Sequence, residues 1–450
     1  MKIVIVGAGK IGSAIVKNAS MENHEVIVID DNPEVIERIV NQFDVLGICG
    51  NGVSYEMQKA SGTATADLFI AVTTSDEANM LACLIAKKLG AKNTIARVRD
   101  YEYTKQIELM TDALGITRTI NPEHEASKEI MRIINFPEAI KVDSFAHGSA
   151  DLTELYIQED SELVGQSLMN ITSKLGVPIL VCAVQRGNEV IIPTGKFVFE
   201  AKDKIHVISS QEASRILVNK LGLSKSKLKD IMIIGAGKIT TYLADSLIKN
   251  NFNVKIIEID PKKAKELAEL LPKATVIVGD GSDQNLLREE GMKDSDAVIC
   301  LTGIDEENII ISLYANKLFV KKIITKVNRA SFAGLLESIE MGSVISPQDL
   351  AANQIISYIR GSSNTRGSNI LTLYKLVDNQ VEVIEFLASD SSKVLNVPLK
   401  DLELKKNILI GGIIRNHKVI IPSGMSFIEK GDSVIVVSKE ALNDLDEILM

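Results

Sequence analysis

Glycines at 7, 9 and 12 and an acidic residue at 30 are the residues whose types and spacing could do chemistry, and that chemistry is holding a dinucleotide. Gly7 would allow a sharp turn, Gly9 would let the backbone approach a pyrophosphate, and Gly12 would let helix and strand pack closely. The unpaired N–H groups of the helix start would then face phosphate oxygens. Asp30 ends the next apolar run, Val26-Ile-Val-Ile-Asp30, where a carboxylate would accept hydrogen bonds from ribose hydroxyls. A lone GxGxxG also occurs in ordinary strand-to-helix turns. Here the loop recurs as Gly235-Ala236-Gly237-Lys238-Ile239-Thr240 and the acidic end as Glu258, each 228 positions further on.

Short apolar β-branched runs at Ile3–Val6, Val26–Ile29, Asp44–Gly47, Leu68–Val72 and Thr94–Val98 alternate with helix-like segments, which predicts a parallel sheet covered on both faces. Asn32-Pro33 reads as one helix start and Ser75-Asp76-Glu77 as another, with Ser75 as the cap and the acids matching the helix dipole. The carboxyl ends of these strands carry Gly7–Gly12, Asp30, Gly50-Asn51-Gly52, Thr73-Thr74 and Arg97, where an open parallel sheet presents its ligand crevice.

Asn121-Pro122-Glu123 opens a connecting helix that Asn135-Phe-Pro137 closes. From about 138 to 220 the texture changes to short strands and one helix, a small α+β module. The programme then restarts. Gly279-Asp280-Gly281 answers Gly50-Asn51-Gly52, Thr302-Gly303 answers Thr73-Thr74, Lys326 answers Arg97, and the paired Ile-Pro-x-Gly turns at 192–195 and 421–424 match, all displaced by 229. The expected fold is α/β: two doubly wound Rossmann-type parallel-sheet domains at 1–118 and 228–346, each followed by a small α+β module at 138–221 and 368–450. Residues 362–369 read as a polar linker.

The formal charge of −9, without a basic block and with 4% aromatic residues, argues against a nucleic-acid surface. The four cysteines are scattered without Cys-x-x-Cys, so neither a disulfide framework nor a zinc site is expected, and a cytoplasmic location follows. A strand beginning at Lys2 leaves no room for a leader, and no apolar run reaches the roughly 20 residues that span a bilayer. The five histidines are dispersed and show no ligand set or nucleophile–His–carboxylate arrangement. Lys128 and Arg132 at i, i+4 spacing read as a solvated helix face, with a membrane-partner contact as the sharper alternative.

The order of dinucleotide domain and small module, twice over, resembles the TrkA family of cytoplasmic regulatory proteins of Trk-type potassium uptake systems, each half resembling one RCK unit (regulator of potassium conductance). The motifs that carry the resemblance are Val-Gly-Ala-Gly-Lys-Ile-Gly at 6–12, Ile-Gly-Ala-Gly-Lys-Ile-Thr at 234–240, Thr73-Thr74-Ser-Asp-Glu-Ala-Asn79 and the paired turns. The resemblance implies binding of NAD(H), or in some members ATP or ADP. It also implies a tetrameric ring on the cytoplasmic face of the membrane, beneath a potassium translocating subunit whose pore it opens or closes. It would make Gly7, Ala8, Gly9, Lys10, Ile11 and Gly12 the phosphate loop and Asp30 the ribose carboxylate. Asn51 would lie by the adenine, Thr73 and Thr74 by the distal phosphate or nicotinamide ribose, and Arg97 near the phosphates. In the second half the same places belong to Gly235, Ala236, Gly237, Lys238, Ile239 and Thr240, then Glu258, Asp280, Thr302, Gly303 and Lys326.

Thr240 in place of the third glycine, Gly303 for Thr74 and Asp280 for Asn51 are departures that predict two unlike sites. Asp30 and Glu258 would repel a 2′-phosphate, which favours NAD(H) or ATP/ADP over NADP(H). The rival readings are an NAD-dependent oxidoreductase built from fused halves, and a nucleotide sensor for another membrane partner. Against the enzyme, the small modules place no His or Lys alike in both halves.

Overall fold

Runs of β-branched residues without polar interruption form strands buried on both faces, because only a sheet covered by helices on each side can satisfy them. The computed structural model describes all residues except 23, 147–148, 188, 221–227, 330–331, 333–335, 337–341, 364–368 and 378–379, so His147 and most of the polar linker lie outside the described residues. In the first domain the strands are β1 (Lys2–Val6), β2 (Glu25–Asp30), β3 (Leu46–Cys49), β4 (Leu68–Ala71), β5 (Asn93–Arg97) and β6 (Arg118–Ile120). They form one parallel sheet in the order β3-β2-β1-β4-β5-β6, so the chain reverses direction across the sheet between β1 and β4. That switch point is where such a sheet opens a crevice at its carboxyl edge. The helices are α1 (Lys10–Met21), α2 (Pro33–Gln42), α3 (Tyr55–Ala60), α4 (Asp76–Leu89), α5 (Tyr101–Leu114) and α6 (Pro122–Asn135).

The capping signals hold. The Asn32 side chain accepts from the Glu34 and Val35 N–H groups with Pro33 in the first turn, and Ser75 Oγ accepts from Ala78 N–H at 3.1 Å. One strand differs: β3 starts at Leu46 rather than Asp44, since it is an edge strand with three of its four residues exposed and little apolar pattern to mark its ends.

The small module contains β7 (Lys141–Phe145), β8 (Ala150–Tyr156), β9 (Ile179–Arg186), β10 (Glu189–Ile191) and β11 (Lys204–Ser209) in an antiparallel sheet, with α7 (Leu168–Leu175) and α8 (Gln211–Lys220). Its second helix corrects the expectation of one. The repeat follows as β12 (Asp230–Ile234), α9 (Lys238–Lys249), β13 (Asn253–Glu258), α10 (Pro261–Leu270), β14 (Thr275–Val278), α11 (Gln284–Glu289), β15 (Ala297–Cys300), α12 (Asp305–Lys317), β16 (Lys322–Lys326), β17 (Ser343–Ile345) and α13 (Pro347–Ser363). Its sheet runs β14-β13-β12-β15-β16-β17, the same order as the first. The last module is antiparallel: β18 (Asn369–Leu376), β19 (Val381–Leu387), β20 (Ile408–Arg415), β21 (Lys418–Ile420) and β22 (Ser433–Ser438).

The four domains group by kind into two compact units, residues 1–131 with 228–356 and residues 132–227 with 357–450. In the second unit the two antiparallel sheets share one core, where Phe145, Leu152 and Ile208 meet Val383, Ile435 and Val437. Tyr374 packs edge-on against Phe145 with ring centroids 5.0 Å apart, and its hydroxyl donates to Ser144 O at 2.8 Å. The repeated Asp203 and Asp432 each accept a two-pronged guanidinium, from Arg186 and Arg415, at 2.7–2.8 Å.

Candidate functional site

Gly7 sits at φ +94° and donates its N–H to Ile29 O at 2.8 Å, which turns the chain sharply off β1. A Cβ added at Gly12 would lie 1.9 Å from Gly7 O, whereas one added at Gly9 would meet nothing within 4 Å. The third glycine therefore keeps α1 against the loop, and the second leaves open space in front of the helix start. Asp30 accepts the Ala8 N–H at 2.7 Å and the Asn32 N–H at 3.0 Å. With Gly7 and Ala8 N–H groups engaged, the amides left to face a ligand are those of the first turn of α1. The carboxylate keeps lone pairs for further donors.

The second loop repeats this geometry. Gly235 lies at φ +100°, Ala236 N–H donates to Glu258 Oε2 at 2.6 Å, and Asp260 N–H donates to Glu258 Oε1 at 2.8 Å. Thr240, which adds a side chain at the position of the third glycine, is fully buried and donates its hydroxyl to Gly235 O at 2.5 Å. The extra side chain is thus absorbed as a hydrogen bond to the loop. Asn51 and Asp280 occupy matching turns, accepting from Val53 N–H at 2.9 Å and Ser282 N–H at 2.8 Å. The hydrogen bonds from Ser282 hold the Asp280 carboxyl below its ordinary range.

At the ends of β4 and β5 two further residues set the geometry, and in the sequence they were legible as a helix start and as part of a repeated motif, without an assigned role. Asn79, fully buried, accepts from Thr73 N–H at 2.8 Å and Thr73 Oγ1 at 2.7 Å and donates to Arg97 O at 2.9 Å. Asn308 does the same between Thr302 N–H and Lys326 O at 2.8 and 3.0 Å. Asp76 accepts the Arg99 and Asp100 N–H groups at 2.8 and 2.7 Å, and Asp305 accepts those of Asn328 and Arg329 at 2.9 and 3.0 Å. Both carboxylates are buried, so Asp305 is a structural clamp as well as a charge suited to the helix dipole. Their recurrence at 229 was the available signal. Replacing Asn79 by leucine strands the Thr73 N–H and the Arg97 carbonyl and is expected to cost about 2–4 kcal/mol, read as a lower urea midpoint.

These features surround one cavity of about 860 Å³ in the first unit. From the first half it is lined by Gly7, Gly9, Lys10, Ile11, Asp30, Asn51, Thr73, Thr74 and Arg97. Ala8 and Gly12 are buried and are not part of its lining. From the second half come Gly237, Lys238, Ile239 and Lys326, while Gly235, Ala236, Thr240, Glu258, Asp280, Thr302 and Gly303 are not part of its lining. The tip of the second glycine loop therefore faces the cleft of the first. The two halves are fastened beside it: Tyr242 Oη donates to Arg99 O at 2.9 Å, Asn121 Nδ2 donates to Tyr242 Oη at 2.9 Å, and the Tyr101 and Tyr242 rings pack tilted with centroids 5.2 Å apart.

Lys10, Arg97, Arg99, Lys238 and Lys326 line the cavity against Asp30, Asp31 and Glu123, an excess of positive charge. Arg97 pairs with Glu123 at 3.0 Å, yet Arg97 Nε and Glu123 Oε2 are buried without a hydrogen-bond partner. Burial pushes the Arg97 pKa down, with the Glu123 charge opposing it. Burial likewise lowers Lys326, which the Asp305 charge opposes and that of Lys10 reinforces. Such a pocket rewards a ligand carrying several anionic oxygens. Among the described residues no histidine or cysteine lines it.

The TrkA-N domain family matches residues 3–122 and 231–347, and the TrkA-C domain family matches residues 152–222 and 383–450. Among curated relatives, the chain is 35% identical over 446 residues to Trk system potassium uptake protein TrkA homolog 1 of Methanosarcina mazei, covering 97% of each chain. It is 31% identical to Trk system potassium uptake protein TrkA of Halomonas elongata, covering 100% of this chain and 98% of that one. Among solved structures it is similar to the GsuK RCK domain (TM-score 0.64, 16% identity, 97% of this chain and 92% of that chain). It is equally similar to the GsuK channel bound to NAD (TM-score 0.64, 16% identity, 97% of this chain and 76% of that chain).

Proposed function

Because this chain belongs to the TrkA family, with TrkA-N and TrkA-C domains in tandem, we propose that it is a nucleotide-binding regulatory subunit of a potassium uptake system. The observation that carries this reading is the cationic cavity at the glycine loop of the first half, into which the tip of the second half's loop also turns. A nucleotide seated there touches both halves at once, so its binding energy depends on how the halves are arranged. A ligand with that dependence shifts a conformational equilibrium, which is the physical content of regulation.

In this reading the first-turn amides of α1, Lys10 and Arg97 hold the phosphates, Asp30 the ribose, Asn51 the adenine end, and Thr73 and Thr74 the distal phosphate or nicotinamide ribose. Lys238 approaches the same phosphates from the other half. The second half's own set is Gly235–Thr240, Glu258, Asp280, Thr302, Gly303 and Lys326, of which Gly237, Lys238, Ile239 and Lys326 also line the first cavity, and the Asp280 charge makes it the weaker site for a nucleotide. NAD(H) is the ligand of first choice, with ATP or ADP as the alternative, since Asp30 and Glu258 disfavour a 2′-phosphate. GsuK, similar in fold, was solved with NAD and with ADP. The protein acts without catalysis, as a ring of copies, four in number, held at the cytoplasmic face against a membrane-embedded potassium translocating subunit whose pore its motions gate. No helix among the described residues is long and apolar enough to cross a membrane.

Rubidium uptake at limiting potassium tests the reading in cells lacking the gene and rescued by wild type or by a Gly9→Asp, Gly237→Asp double variant at matched expression. Both positions face open space, so each aspartate folds in place and puts a negative charge where phosphate would lie. Uptake should return with wild type only. Uptake that is unchanged by deletion, with no redundant system, overturns the potassium assignment and leads to an NADH-oxidation screen for the enzyme alternative.

A further inference from the structure

The two small modules are copies, and one position in them has diverged in a way that opens a second site. In the second module Arg360 at the end of α13 reaches Glu382 on β19 in a two-pronged pair, Nη1 to Oε2 at 2.7 Å and Nη2 to Oε1 at 3.1 Å, with both residues buried. Counting from the Pro122 and Pro347 helix starts, Arg360 corresponds to Asn135. The strand registers, Asp151 against Ser209 and Glu382 against Ser438, make Glu382 the counterpart of Asp151. Two residues further on, Thr153 stands where the copy has Ile384. Both members of the buried ion pair are therefore shortened in the first module, and an apolar neighbour has become a hydroxyl.

Shortening leaves space. A cavity of about 100 Å³ is lined by Asn135, Asp151, Thr153, Arg132 and Arg215 among others. Asp151 is 7% exposed and Thr153 2%, yet Asp151 Oδ1 and Thr153 Oγ1 have no hydrogen-bond partner. Leaving such groups unmet costs free energy, and the copy shows that the fold has a way of meeting them. Burial raises the Asp151 pKa to about 6, opposed by the Arg132 charge and a hydrogen bond from Ser144, as expected for a carboxylate that has lost its dedicated cation. Arg132, read from its spacing as part of a solvated face, is a wall of this cavity.

We infer that this cavity of the first module binds a small zwitterion of the α-amino acid class, its ammonium on Asp151 and Thr153 and its carboxylate on Arg132 and Arg215. A simple anion would meet the Asp151 charge, and a simple cation would meet two guanidinium groups. Only a molecule carrying both signs close together satisfies both walls. A cavity of about 100 Å³ has room for a molecule the size of glycine or alanine. This site is separate in the chain from the nucleotide cavity, and the inference stands without the potassium reading.

The test is calorimetric titration of the full chain, held at constant saturating NADH, with glycine and L-alanine and with acetate, methylammonium and inorganic phosphate as single-sign controls. Saturable binding of at least one amino acid at low-millimolar concentration or tighter, with none of the controls competing at equal concentration, is expected. Asp151→Asn should weaken that binding about ten- to hundredfold, the loss of a charge-assisted contact. The Asn135→Arg, Asp151→Glu double variant restores the pair of the copy and should abolish binding while leaving the melting temperature unchanged or higher. Thr153→Ile, the residue of the copy, serves if either variant fails to fold. No binding to wild type, meaning a cavity filled by water only, overturns the inference. So does saturation by acetate or phosphate alone, or amino-acid binding that these variants leave unaltered.

Discussion

Replacing Gly12 by alanine lowers nucleotide affinity at the first cleft by about a hundredfold and leaves the second cleft as it was. The added carbon would stand 1.9 Å from Gly7 O and 2.9 Å from Gly7 C, both backbone atoms that cannot swing aside as a flexible side chain would. Either α1 retreats or the loop shifts, and in both cases the first-turn amides no longer converge where Gly9 leaves space. Two charge-assisted hydrogen bonds lost at about 1.5 kcal/mol each account for the hundredfold. The second loop is the internal control, because Thr240 there is already larger than alanine and is hydrogen bonded to Gly235 O. Titration of NADH into the full-length variant should therefore lose the tighter of two binding events. Retention of both events at wild-type affinity would show that the loop does not hold the phosphates.

Arg360→Ala is expected to destabilise the second unit by about 3–5 kcal/mol, since it takes the two-pronged partner from the buried Glu382 carboxylate and leaves it only Lys375, 4.0 Å away. The loss is to be read locally, as hydrogen-exchange protection of the β19 amides, because a chain of two compact units need not unfold in one step. Arg360→Met combined with Glu382→Met should recover much of the loss, as well-packed apolar residues often replace buried pairs without penalty. A double variant as unstable as the single would mean that the pair is doing more than satisfying itself. The contrast with Asn135 and Asp151 gives the comparison its use: one copy spends this position on its own stability, and the other leaves it open.

The glycine loops, their acidic partners and the duplication at 228–229 were legible in the chain because each rests on local requirements: backbone torsion, strand period and fixed spacing. So was the capping of α2 and α4, where Asn32 and Ser75 act within three residues of themselves. The edge strand β3 was misplaced by two residues because nothing packs tightly enough against it to impose a pattern.

Other features depend on what is brought together from afar. Asp76 and Asp305 read equally well as exposed helix starts, and only the packing of β5 and β16 against α4 and α12 turns them into buried clamps on segments more than 20 residues away. The fit of Thr240 was decided by the Gly235 carbonyl that its buried hydroxyl reaches. That Lys238 and Gly237 face the cleft of the first half follows from the docking of the two halves, and that Asn135 and Asp151 border one cavity follows from the packing of α6 against β8 within one module. By itself the sequence determined which residues could hold a nucleotide, since that chemistry is written in short spacings. Only the tertiary structure decided which of them share a cavity, because burial and proximity depend on packing between segments remote in the chain.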